Sequence, residues 1–100
     1  KMDQYIKDIA TQINYKELLM SGFKFVYSNK DLSLTLRKGK KYLVISLDRG
    51  KDLYNIRKVR YKGIAEIIED IKTDGLFCDQ IADIIEEWFK FNYINKPIFS

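Results

Sequence analysis

No histidine occurs anywhere in the chain, and Cys78 is its only cysteine. The first absence removes the commonest general base and the commonest transition-metal ligand; the second forbids an internal disulfide. Histidine-based catalytic triads and zinc sites are therefore excluded. Long apolar runs are missing too: nothing approaches the roughly 18 consecutive apolar residues that span a bilayer as a helix. The five glycines, at 22, 39, 50, 63 and 75, stand singly at expected turns and stops, so there is no phosphate-cradling glycine motif. Lys1 precedes Met2 and reads as an added residue ahead of the natural start, with no apolar leader behind it. The expectation is a soluble cytoplasmic protein that is not an enzyme, needs no cofactor and crosses no membrane.

What is present suits one domain. A chain of 100 residues, 46% apolar and 32% charged, can bury a single core and no second one. The net charge of +4 conceals a division: residues 1–62 carry 15 Lys/Arg against 6 Asp/Glu, and residues 63–100 carry 3 against 8. Such polarity fits a nucleic-acid-facing half, a partner-binding face, or two oppositely charged surfaces packed together.

Met2, Ile6, Ile9, Ala10 and Ile13 recur at spacings of three and four, which predicts one amphipathic helix from near Asp3 to a stop at Gly22. The period then changes to two. Phe23, Phe25 and Tyr27 share one side of a first strand, Leu32, Leu34 and Leu36 one side of a second, and Leu43, Ile45 and Leu47 one side of a third. Ser28-Asn29-Lys30-Asp31 and Lys38-Gly39 supply turns between them, and Asp48-Arg49-Gly50-Lys51 ends the third. A fourth strand, 53–61, carries Tyr54 and Ile56 on one parity but Val59 and Tyr61 on the other, so a bulge near Arg57 or Lys58 is expected. The segment 64–71 has apolar residues at 64, 67, 68 and 71, a helical spacing on a stretch of only about two turns. Phe77, Ile81, Ile84, Ile85, Trp88 and Phe89 form the stripe of a last helix, capped near Cys78 or Asp79. The tail from Asn92 contains Pro97, which cannot continue a helix, and either docks on the body or seeks a partner.

The residues Asp52, Leu53, Tyr54, Asn55, Ile56, Arg60, Gly75, Phe77, Asp79, Gln80 and Ile81 resemble a pattern in small uncharacterised proteins of bacteriophages and integrated elements. That pattern runs Asp-Leu-Tyr-Asp/Asn-apolar, a basic aromatic strand, a second strand with an acidic turn, then Gly-apolar-aromatic-x-Asp-Gln-apolar opening an acidic helix. The resemblance covers about 38 residues, 52–89. It implies a β hairpin followed by a helix, making 64–71 a fifth strand, with a short helix as the alternative.

Three groups of side chains could carry chemistry. Asp79, Asp83, Glu86 and Glu87 could suggest a divalent cation, but no second carboxylate cluster accompanies them and a solvated acidic flank is the simpler reading. Cys78 lies near a helix start, where thiolates are favoured; with no histidine to pair with, inert burial is simpler. The basic residues remain: Arg37, Lys38, Lys40 and Lys41 at one hairpin tip, and Arg57, Lys58, Arg60 and Lys62 along the fourth strand, interleaved with Tyr54 and Tyr61. Lys58, Arg60 and Lys62 share parity and would project about 7 Å apart. Such a ladder could follow phosphates, with tyrosines stacking on bases, or could protect a sheet edge from aggregation.

The sequence thus predicts an α+β domain: an N-terminal helix, a mainly antiparallel five-stranded meander and a C-terminal helix, with both helices on one sheet face and the basic ladder on the exposed one. Two functions follow. The first is a small phage or mobile-element protein that binds a host protein or ribonucleoprotein stoichiometrically, as an inhibitor of a CRISPR-type defence complex would, in the host cytoplasm. The second is a nucleic-acid-binding accessory module using a basic sheet face. Oligomeric state stays open.

Overall fold

The computed structural model describes residues 1–97. Its elements are α1 (Gln4–Gln12), α2 (Tyr15–Met20), β1 (Lys24–Ser28), β2 (Ser33–Lys38), β3 (Lys41–Asp48), β4 (Leu53–Lys62), β5 (Glu66–Leu76) and α3 (Cys78–Phe89). The five strands form one antiparallel meander in the order β1-β2-β3-β4-β5. The expected α+β architecture is the observed one, with the helices gathered on one face.

The first helical stretch is two helices, not one. Asn14 adopts the left-handed conformation (φ 53°) and breaks the ladder between α1 and α2. Asparagine tolerates this region better than most residues, and its side chain is used, because Asn14 Nδ2 donates to the carbonyl of Asn95 at 2.9 Å. Asp3 caps α1 by accepting the Tyr5 N–H at 2.9 Å. The stop at Gly22 stands (φ 92°).

Alternation in β2 and β3 gives an in-register pair: Leu36 lies opposite Leu43 and Leu34 opposite Ile45, all buried. Gly39, with φ 62°, occupies the first position of the two-residue loop, where a type II′ turn requires positive φ. Leu32 does not extend β2: at φ 50° it belongs to the preceding turn. Against the sheet's inner face pack Ile6 and Ile9 of α1, Ile13 just after it, and Ile81 and Ile85 from α3, closing one core with Leu18 and Phe23.

In β4 no bulge occurs at Arg57 or Lys58; pairing with β3 is continuous from Leu53 to Arg60. The register shifts are against β5, between Tyr54 and Ile56 and between Arg60 and Tyr61, and in each the extra residue belongs to β5. The parity change that prompted the expectation has another cause. Val59 lies opposite Tyr42 and Tyr61 stands two residues on, so both occupy the outer face, where Val59 is nonetheless buried.

The fifth element is a strand, as the resemblance implied and helical spacing did not. It runs later than expected: Gly63, Ile64 and Ala65 make the turn, and Asp74-Gly75 lies inside β5 as a bulge, the Gly75 N–H donating to Asn55 Oδ1 at 3.2 Å. The edge of β4 offers the segment backbone pairing from Tyr54 to Lys62, whereas a helix of about two turns is marginal on its own. The α3 N-cap is Phe77, one residue earlier than expected, and Gln80 Oε1 accepts its N–H at 2.8 Å.

The tail docks as far as it is described. Glu17 accepts the N–H groups of Ile94 (2.6 Å) and Asn95 (2.7 Å), and the Tyr93 hydroxyl donates to the Ile13 carbonyl at 2.8 Å. Ile98 and Phe99 lie outside the described residues.

Candidate binding surface

The ten residues expected at a binding site divide between two faces of the sheet. Register settles which side each takes. Lys58 lies opposite Leu43, and Arg60 opposite Lys41, so the Lys58-Arg60-Lys62 ladder keeps its shared parity but stands on the helix-bearing face. The expectation that it lines the open face is overturned, because β4 alternates without interruption from its core residues Tyr54 and Ile56 to Lys58.

Nearly every cation on that face is held within the molecule. Lys58 lies 5.5 Å from the Trp88 ring, and Lys41 lies 5.0 Å from the same ring while donating to the Trp88 carbonyl at 2.7 Å. Arg60 pairs with Glu69. Lys38 lies over Phe23 and Phe91, at 5.1 and 5.6 Å. Lys62 faces Glu66 across the β4–β5 pair. Tyr54 offers no stacking surface: it is buried and its hydroxyl donates to Gln12 Oε1 at 2.9 Å, with burial pushing its pKa up.

At the tip, Lys40 Nζ donates to the Gly63 carbonyl at 2.7 Å and the Tyr61 N–H donates to the Lys40 carbonyl at 2.9 Å, so the β2–β3 and β4–β5 turns meet at one sheet end. On the open face, Arg57 makes a two-pronged pair with Asp70, 2.8 Å from Nε and 2.6 Å from Nη2. The guanidinium holds the Asp70 carboxyl below its usual pKa.

What the open face presents is aromatic. Arg37 lies 5.6 Å from the Tyr42 ring, which meets Tyr61 edge-on at 5.1 Å and 73°. These three, with Lys40, Ile64 and Ile67, line a depression of about 460 Å³ at the hairpin end. Ile64 is fully exposed and Ile67 half exposed. Arg37, Lys40 and Tyr61 were among the expected site residues; Tyr42, Ile64 and Ile67 were not. Tyr42 was findable, since it alternates with Leu43 and must take the face opposite the core. Ile64 and Ile67 entered the sequence reading only through their helical spacing, which says nothing of their exposure beside the hairpin tip.

On α3, Asp83 and Glu86 both reach the ammonium of Lys96, the latter at 2.6 Å. That contact, with the Tyr93 N–H, lowers the Glu86 pKa. Among the described residues no group of three or more His, Cys, Asp or Glu side chains is placed to hold a metal ion, and no helix is long and apolar enough to cross a membrane. Cys78 is partly buried.

Compared with known proteins, the chain matches no family model, no curated protein and no solved structure.

Proposed function

We propose that this protein works by stoichiometric binding to a protein or ribonucleoprotein complex, and that the Arg37-Tyr42-Tyr61 surface is its contact. The observation that carries the reading is an arginine stacked on one tyrosine and a second tyrosine set edge-on, around a depression rimmed by exposed Ile64 and Ile67. Tyrosine and arginine dominate the energetics of protein interfaces, and two χ angles in tyrosine limit the entropy lost on binding. The resemblance of 52–89 to phage and mobile-element proteins supports an inhibitor that occupies a host defence complex, acting by occupancy with no catalytic step.

The basic residues support a nucleic-acid reading less well. Exposed ion pairs are worth only about 0–1 kcal/mol, so a phosphate could displace Asp70 or Glu69. The charges nevertheless stand on opposite faces of one sheet, and among the described residues no single groove collects them into a track.

The test pairs two measurements. Capture from host lysate by the wild type should yield one complex in fixed ratio, and Tyr61→Ala and Ile64→Asp should each lose it while melting as the wild type does. A gel shift on bare DNA and RNA across a salt series should show only weak binding. Tight, salt-sensitive binding to free nucleic acid with no complex captured overturns the reading, because each neutralised phosphate contributes a slope near 0.9 on duplex DNA.

A further inference from the structure

Among the described residues the sheet has two open edges, β1 and β5, and they are built differently. β5 is an edge defended in the usual ways: Glu66, Glu69, Asp70, Lys72 and Asp74 line it, and two bulges interrupt it. β1 has no such defence. Its one charge, Lys24, stands at its first position, it pairs with β2 without a bulge, and Val26 at its centre is 69% exposed.

The hydrogen-bonding phase of this edge follows from the register. The two-residue loop makes Lys38 and Lys41 the first pair to exchange both backbone bonds, and alternate pairs then exchange along the hairpin. The Leu47 N–H bond to the Leu32 carbonyl, 3.2 Å, falls in that phase. Leu34 and Leu36 thus turn their backbone groups toward β3, and Thr35 turns toward β1, where it meets Val26. Val26 spends its N–H and C=O inward; Phe25 and Tyr27 point theirs outward, where no described residue pairs with them.

We infer that β1 is a self-association edge, on which a second copy of this chain pairs antiparallel about a twofold axis at Val26. In that register Phe25 faces the partner copy's Tyr27, and both exchange their outward backbone groups, giving four hydrogen bonds across the axis. Val26 meets its own copy, and Lys24 meets serine at position 28. No like charges are opposed. On the helix-bearing side, an apolar groove of about 480 Å³ between the helices and the edge is lined by Met2, Tyr15, Leu19 and Phe25, with Leu19 half exposed. The Phe25–Tyr27 pairs close over its mouth. The product is a continuous ten-stranded sheet, and because the Tyr42–Tyr61 surface lies on β3 and β4, the dimer leaves it uncovered. The inference is independent of the function proposed above.

Sedimentation equilibrium over a concentration series tests it with wild type, Val26→Lys, Val26→Glu and an equimolar mixture of the two variants. Wild type should be a dimer, and each variant about tenfold weaker in association, since like charges directly opposite one another are destabilising and tenfold corresponds to about 1.4 kcal/mol. The mixture should pair again. Far-UV circular dichroism checks that each variant folds, which the exposure of Val26 permits. A wild type that stays monomeric up to millimolar concentration overturns the inference. So does a dimer that Val26→Lys leaves intact, or a mixture that fails to restore pairing.

Discussion

Replacing Trp88 by alanine should separate the structural from the binding role of the only tryptophan. Its indole is half buried, its Nε1 donates to the Tyr42 carbonyl at 3.1 Å, and its ring takes Lys41 and Lys58. Half of a tryptophan's burial removes on the order of 100 Å² from water, about 2.5 kcal/mol at 25 cal/mol per Å². The hydrogen bond contributes about 1 kcal/mol at most, because the Tyr42 carbonyl also lies in an exchanging pair with Val59 and is not orphaned. Two partly exposed cation–π contacts add roughly 0.5 kcal/mol each, offset in part as the freed ammoniums regain hydration. Trp88→Ala should therefore lose about 3 kcal/mol, which lowers the melting temperature of a domain this size by about 12–24 °C. Trp88→Phe, which keeps a ring and loses the donor, should lose about 1 kcal/mol. The assay is urea unfolding followed by circular dichroism, since the substitution removes the natural fluorophore. A loss under about 1 kcal/mol for Trp88→Ala would show that the ring is not packed as described, and would make it an anchor for a partner instead.

Three further expectations concern the C-terminal end of the chain. Glu86 has a depressed pKa through Lys96 and the Tyr93 N–H, so its contribution is present above its ordinary value of 4.5 and is lost as pH falls through the folded value; Glu86→Gln should flatten the acid limb of the stability profile. Tyr93 shifts the other way, burial raising its pKa, so its contribution is complete below about 10 and disappears as pH climbs beyond. Tyr93→Phe should remove part of that alkaline loss, and an unchanged limb would show the hydroxyl to be solvated. Lys90, left-handed at φ 55° after α3, should gain about 0.5–1 kcal/mol on change to glycine, measured by thermal melting; a loss would mean that the lysine side chain is doing more than closing the helix.

Local pattern and long-range pairing contributed separately to what could be read from the residues. Alternation at 34–36 and 43–45 and the stripe 81–88 are local properties of a pleat and a helix, so the β2–β3 hairpin and α3 were legible from the chain alone. The split at Asn14 was not, because an isolated periodic run carries no record of one residue entering the left-handed region when a distant carbonyl, that of Asn95, rewards it. Nor was the face taken by the basic ladder. Parity shows that Lys58, Arg60 and Lys62 stand together, but only the register of β4 on β3 says that their side is the one the helices cover, and only then does Trp88 fall over Lys58 while Glu69 reaches Arg60. The isoleucines of 64–71 make the same point from the other direction: their spacing favours a helix, and backbone pairing with the open edge of β4 outweighs it. By itself the sequence determined which residues alternate, where the chain turns and which chemistries it lacks. Tertiary pairing decided which face looks outward and which edge stays open, since both depend on partners tens of residues away.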